Sequence, residues 1–179
     1  GVYEDHDWIE PLMAFARALH QANVPMIGIC FGHQLIAQAL GGKVEKSDKG
    51  WGVSVHGYDM LESADKPSWM QGADESFDIQ CFHQDQVVQL PATADVIAGS
   101  DFCPFGMLVY GKQALTFQGH PEFDAAYGQG LLDCRADLLG EEEAAPRVAA
   151  ARLLDFDHVS AEVGQHSRGG SALLPDRHI

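Results

Sequence analysis

Cys30 stands between two glycines in Gly28-Ile29-Cys30-Phe31-Gly32. An apolar run, Val24 to Ile29, leads into it, and Leu35, Ile36, Ala39 and Leu40 follow at helical spacing. Small-x-nucleophile-x-small between a strand and a helix is the nucleophile-elbow pattern. A tight strand-to-helix turn forces the nucleophile into strained backbone angles and brings neighbouring backbone close, so side chains at the flanking glycines are expected to clash. The turn also sets the sulfur over the first turn of a helix, where free N–H groups and the helix dipole favour a thiolate and lower its pKa. The Phe31 N–H is then aimed where a tetrahedral oxyanion forms. The same residues fit a small buried hydrophobe at a strand end, which is how most cysteines are used.

A thiol nucleophile needs a base and a group that orients it. His120-Pro121-Glu122 supplies both residue types, and Glu122 can accept a hydrogen bond from the imidazole and fix its tautomer. The triplet follows a strand, which puts it at the carboxyl edge of a sheet, where the elbow also opens. A surface turn or a His-x-Glu metal pair fits these residues as well. Two other histidines compete. His33, three residues into the elbow helix, is expected to pack or cap locally. His83, in Phe82-His83-Gln84-Asp85, is expected in a loop after a strand, where it can line a pocket. His83 with Asp85 and His120 with Glu122 lack H-x-x-x-H or clustered ligand spacing, so no metal site is expected.

The elements that must hold these groups are legible in outline. Trp8, Ile9, Leu12, Phe15, Ala16 and Leu19 recur at helical spacing, with Asp7 placed to cap, Pro11 in the first turn, and Asn23 and Pro25 as the stop. Val24 to Ile29 reads as a buried parallel strand, and Gly41-Gly42 stops the elbow helix. Trp51, Val53 and Val55 alternate with other residues, as do the positions around Ile79 to Phe82, which predicts short strands. Asp95 to Ala98 reads as another. Met107 to Tyr110 and Ala114 to Gln118 flank a Gly111-Lys112 turn as a hairpin. Asp124 is placed to cap a helix running to about Leu139, and Glu141-Glu142-Glu143 opens another. The tail after about Gln165 has no periodicity and reads as mobile.

The chain has 179 residues, 46% hydrophobic and 21% charged, enough apolar material for one α/β domain and unlike a disordered chain. Eleven Lys and Arg against 26 Asp and Glu give a net charge of -15. Such a surface repels phosphate backbones and anionic membranes, so neither a nucleic-acid nor a membrane partner is expected. No apolar run approaches the roughly 20 residues of a membrane span, and the opening residues do not read as a signal peptide, so none is expected. Cys30, Cys81, Cys103 and Cys134 lie far apart without a C-x-x-C pair, which makes the reducing cytoplasm the default location.

Three segments together, Gly28-Ile29-Cys30-Phe31-Gly32-His33-Gln34, Phe82-His83-Gln84-Asp85 and Phe117-Gln118-Gly119-His120-Pro121-Glu122, resemble the class I (triad-type) glutamine amidotransferases. Within that family the chain is most similar to stand-alone relatives of the GMP synthase glutaminase domain. The resemblance runs from Val2-Tyr3-Glu4-Asp5 and Trp8-Ile9 to about residue 140, with the motifs in the family's order. It implies a flavodoxin-like three-layer sandwich with a mostly parallel central sheet and a small antiparallel strand region. It also implies one amidotransferase domain over 1–179, with 166–179 as a tail. The family's glycine-rich loop, source of a second oxyanion donor, would precede Gly1, so N-terminal strands are expected to be missing.

Carried over by residue, the resemblance implies Cys30 as nucleophile, His120 as general base and acid, and Glu122 as its orienting carboxylate. Phe31 would give an oxyanion N–H and Gln34 would help hold the substrate. His83, Gln84 and Asp85 would line the pocket for its amino-acid end, although many relatives have Gly where this chain has Gln84. The implied activity is hydrolysis of the glutamine side-chain amide to glutamate and ammonia through a γ-glutamyl thioester on Cys30, without metal or organic cofactor. The ammonia would pass to an acceptor or a synthetase subunit. Two alternatives stand beside it: a γ-glutamyl peptidase or hydrolase using the same triad, and an inactive binding protein of this fold.

Overall fold

A computed structural model describes residues 1–61, 70 and 74–135. The helix expected at Glu141-Glu142-Glu143, the stretch towards Leu139 and the tail 166–179 lie outside the described residues. The chain divides into two units, residues 1–123 and 124–179.

In the first unit a helix, α1 (Ile9–Gln21), leads to β1 (Met26–Ile29) and then to the elbow helix α2 (Phe31–Ala39). There follow β2 (Lys43–Lys46), β3 (Gly52–Met60), β4 (Ser76–His83), β5 (Asp85–Gln89), β6 (Asp95–Gly99), β7 (Met107–Tyr110) and β8 (Ala114–Phe117). Six strands form one sheet in the order β1-β8-β7-β6-β3-β4, and β2 and β5 form a separate antiparallel ribbon. The fold is α/β, as expected. The sheet, however, is mixed rather than mostly parallel. Among the described residues only β1 and β8 run parallel, while β8–β7, β7–β6, β6–β3 and β3–β4 are antiparallel. The expected hairpin is present, turning at Gly111 with φ 57°.

β1 departs from the expected buried strand. It is the end strand among the described residues, paired on one side only, and Ile27 is 72% exposed. α1 differs in its cap and its face. Trp8 occupies the N-cap with no side-chain hydrogen bond, so Asp7 does not cap. Pro11 is the third helical residue, where no intrahelical partner for an N–H is needed. Ile9 and Ala16 are buried, whereas Trp8, Leu12 and Phe15 are exposed. The helix stops where Asn23 takes φ 56°, a conformation asparagine tolerates better than most side chains.

α2 is gripped from two sides. Leu35 and Ala37 pack with Val2, Val44 and Val87, the last two from the ribbon, while Ile36 packs with Leu108, Tyr110 and Ala114 of the main sheet. Each buried Leu, Ile or Val among them contributes roughly 1.5–3 kcal/mol, which holds α2 in place. A third cluster, Tyr58, Ile79, Cys81, Ile97, Cys103, Met107 and Val109, joins β3, β4, β6 and β7.

In the second unit, α3 (Ala125–Cys134) is capped as expected, the Asp124 carboxylate accepting from the Tyr127 N–H at 2.7 Å. No helix among the described residues is long and apolar enough to cross a membrane.

Candidate active site

Cys30 belongs to a strand and a helix at once. Ile29 is the last residue of β1 in parallel register, opposite Phe117 of β8. The Cys30 N–H extends that ladder by donating to the Phe117 carbonyl at 2.8 Å, and the Cys30 carbonyl accepts the Gln34 N–H at 3.1 Å as a first helical bond. One residue cannot serve both in a relaxed conformation. Cys30 takes φ 48° and ψ −98°, which costs of order 1–3 kcal/mol and is characteristic of a nucleophile elbow. A Cβ on Gly28 would lie 2.8 Å from the Gly32 carbonyl oxygen, so glycine is required there. A Cβ on Gly32 would meet nothing within 4 Å, so the expected clash exists at one flanking glycine and not at the other.

The expected lowering of the Cys30 pKa is overturned. Burial pushes the thiol up to about 11; the Phe31 backbone N–H pulls the other way, and the Glu122 and Asp85 carboxylates add to the rise. Loss of water around a half-buried sulfur, with two anions acting on it, outweighs the pull of the Phe31 N–H. Near neutral pH Cys30 therefore rests as a thiol.

His120 is fixed by its backbone, its N–H donating to the Gln80 carbonyl of β4 at 2.7 Å. Its imidazole Nδ1 lies 2.7 Å from Glu122 Oε1. A carboxylate only accepts, so Nδ1 carries the proton of this bond. The ring stacks on Phe123 at 3.9 Å and 11°. β1 and β8 being parallel, Cys30 and His120 leave the same sheet edge, as the sequence predicts.

The remaining candidate residues converge in part. Gln34, almost completely buried, donates from Nε2 to the Asp85 backbone carbonyl at 2.8 Å and to Gln118 Oε1 at 3.1 Å. His83 Nδ1 donates to the same Asp85 carbonyl at 3.2 Å. The Asp85 carboxylate points elsewhere and accepts from the Tyr3 hydroxyl at 2.9 Å; loss of water and then this bond push that phenol up to about 12. His83-Gln84-Asp85 is not the expected open loop. β4 ends at His83 and β5 begins at Asp85, leaving Gln84 as a one-residue joint whose carbonyl accepts the Ser47 N–H at 3.1 Å. His33 is not the local cap or packing residue expected: it is wholly buried and reaches across to β8, hydrogen-bonded through Nδ1 to Thr116 Oγ1 at 2.8 Å.

Gln118 carries no role on sequence grounds, although it stands inside the His120 motif. It is completely buried, and its Nε2 donates to Cys30 Sγ at 3.8 Å. A glutamine just past a strand carries no periodic signal, and only the fold reveals its partners. Among the described residues, no three His, Cys, Asp or Glu side chains converge to hold a metal ion.

Comparison with known proteins bears on this site. The family model described as "Glutamine amidotransferase class-I" matches residues 1–131. Gamma-glutamyl peptidase 5 of Arabidopsis thaliana is 33% identical over 151 residues, covering 83% of this chain and 60% of that protein. The GMP synthase [glutamine-hydrolyzing] of Chromobacterium violaceum is 35% identical over 133 residues, covering 68% of this chain and 23% of the synthase. The chain thus spans less than two thirds of either relative. Among solved structures, a glutamine amidotransferase from Thermotoga maritima superimposes with a TM-score of 0.71 at 18% identity, over 95% of this chain and 74% of the other.

Proposed function

The chain belongs to the class-I glutamine amidotransferase family, and we propose that it hydrolyses the side-chain amide of glutamine to glutamate and ammonia, with Cys30 as nucleophile, His120 as base and acid, and Glu122 as the group that orients His120. The observation that carries this reading is the Cys30–Phe117 rung, which ties the strained elbow to the strand leading to the His120–Glu122 pair.

In the first step His120 Nε2 takes the thiol proton as Cys30 Sγ attacks the carboxamide carbon. This sequence suits a thiol whose pKa lies near 11. The Phe31 N–H faces the developing oxyanion. Glu122 stabilises the imidazolium, which then protonates the departing nitrogen, so that ammonia leaves and a γ-glutamyl thioester remains on Cys30. His120 next takes a proton from water, whose oxygen attacks the thioester carbon. Glutamate departs as the sulfur recovers its proton from His120. Gln34, with the His83-Gln84-Asp85 segment, lines the side of the pocket that receives the amino-acid end. Similarity to GMP synthase supports a synthetase as recipient of the ammonia.

A second reading is favoured by the similarity to gamma-glutamyl peptidase 5, which extends over 83% of the chain. The same thioester then forms from a γ-glutamyl peptide, and an amine leaves in place of ammonia. Both readings are tested by measuring ammonia released from glutamine beside the amine released from γ-glutamyl dipeptides. Cys30→Ala serves as the control in each assay. Turnover that survives Cys30→Ala overturns both readings, and a rate on dipeptides far above that on glutamine selects the second.

A further inference from the structure

The hydrogen bonds of Gln34 and Gln118 run in one direction. An amide side chain can sit either way round, and its partners decide which end is oxygen. The Asp85 backbone carbonyl can only accept, so Gln34 must present its NH2 group there, at 2.8 Å. The same nitrogen has a second proton, which goes to Gln118 at 3.1 Å, and Gln118 must therefore present Oε1. What Gln118 has left, its own NH2 group, faces Cys30 Sγ at 3.8 Å. The anchor of this chain is itself fixed. Asp85 pairs with Lys46 across the β2–β5 ribbon, and its carbonyl also accepts from His83. The far end is fixed too, because the Gln118 backbone N–H donates to the Gly106 carbonyl at 2.8 Å.

From this geometry we infer that Gln118 is a positioning residue for Cys30, holding an N–H against the sulfur in an orientation dictated by the Asp85 carbonyl through Gln34. The inference rests on the reading of Cys30 as nucleophile. Turned the other way, the Gln118 amide would present its oxygen to the sulfur and oppose any negative charge there. In the observed orientation it offers a donor from a side chain that is itself completely buried, where a lost hydrogen bond to a charged group is costly. Sequence position hides the link. The Asp85–Gln34–Gln118–Cys30 chain joins the β5 ribbon, the elbow helix and the segment after β8, so the sulfur is coupled to the segment proposed to receive the substrate's amino-acid end.

The test measures how fast iodoacetamide alkylates Cys30 between pH 7 and 10.5, read by mass spectrometry on the Cys30 peptide of the full chain. Gln118→Met keeps length and volume but has no donor. It should slow Cys30 alkylation about three- to fourfold at every pH in that range, the effect of a thiol pKa raised by about one unit whose scarcer thiolate is the better nucleophile. Gln34→Met frees the Gln118 amide to turn and should displace the profile in the same direction by less. The charged groups that act on Cys30, Glu122 and Asp85, are untouched in both variants. Buried Cys81 and Cys103 must stay unreactive, which reports that the fold is intact. If Gln118→Met does not fold, Gln34→Met decides alone. Profiles that superimpose on the wild type overturn the inference, whether or not the chain turns over glutamine. A displaced profile supports it even in a chain that releases no ammonia, so this result and the proposed reaction stand or fall separately.

Discussion

The Cys30 N–H and the Phe117 carbonyl, 2.8 Å apart, form a rung one residue beyond the paired ends of β1 and β8. Two segments distant in sequence are aligned by that bond. On one side the chain turns at once into α2. On the other it continues through Gln118 and Gly119 to His120. The strain at Cys30 and the placement of His120 thus have a common origin in the parallel β1–β8 pair.

His120→Ala should lower turnover by about 10²–10⁴-fold, the usual contribution of a positioned acid–base group. Glu122→Gln should cost less, about tenfold, because it retains an oxygen acceptor. The Glu122 carboxylate is also 46% exposed, so solvent screens much of its charge. His33→Ala should change the fraction of folded protein rather than turnover per folded molecule, since His33 is wholly buried against Thr116. Steady-state rates normalised to folded protein separate these effects. A larger loss per folded molecule in His33→Ala than in His120→Ala would reverse the assignment of the base.

The two elbow glycines should respond in opposite ways to alanine. Gly28→Ala drives a methyl group to 2.8 Å from the Gly32 carbonyl and 2.9 Å from Ile36 Cδ1, and backbone cannot step aside as a side chain can. A loss of about 1–3 kcal/mol follows, read as a Tm lowered by several degrees. Gly32→Ala meets open space inside a helix and should be neutral or raise stability by up to about 1 kcal/mol. Equal losses in the two variants would refute the steric account of Gly28.

Local pattern announces the parts of this site that one segment builds by itself. The strand, sharp turn and helix around Cys30, the β7–β8 hairpin and the Asp124 cap are all visible in residue type and spacing. Relations across segments are not. β2 and β5 are short, each with few buried residues, and form only because Val44 and Val87 pack under α2. Exposure of β1 depends on which strands flank it, and Asp7 fails to cap because α1 begins one residue later than its position requires. The Cys30 thiol pKa is set by burial and by Glu122 and Asp85, which the chain brings in from far along the sequence. Gln118 is silent for the same reason.

Thiol labelling distinguishes exposure from recognition. Cys134 is exposed, Cys30 half-buried, and Cys81 and Cys103 buried. With the Cys30 thiol near pKa 11, a small generic alkylator at pH 7 should modify Cys134 first. A chloroketone shaped like glutamine should reverse the order, because binding holds its reactive carbon against Cys30 and His120 can take the proton. Mass spectrometry of the two peptides after brief exposure reads the ratio. A glutamine-shaped reagent that follows the generic order would speak against a glutamyl pocket at Cys30.

Two buried imidazoles should make the fold sensitive to acid. Burial is the main cause that holds His33 down at about 3 and His83 at about 4, against an ordinary value of 6.5. Both are neutral in the native chain well below the pH at which the unfolded chain protonates them. Between pH 6.5 and about 4 the unfolded state therefore binds more protons, so stability is fully present above pH 6.5 and drains away as the pH falls. Each group contributes a slope of up to roughly 1.4 kcal/mol per pH unit in that window. Urea midpoints measured from pH 7 to 4.5 should fall steeply in the wild type. His33→Asn removes the titrating ring yet keeps a polar atom for Thr116, and it should flatten the dependence by about one such slope. The packing lost with the smaller side chain is a pH-independent offset, so the slope and not the value at pH 7 carries the test. His83→Asn should act in the same direction over the upper part of the window. Curves for the wild type and both variants that run parallel from pH 7 to 4.5 would show that neither imidazole is held neutral by the fold.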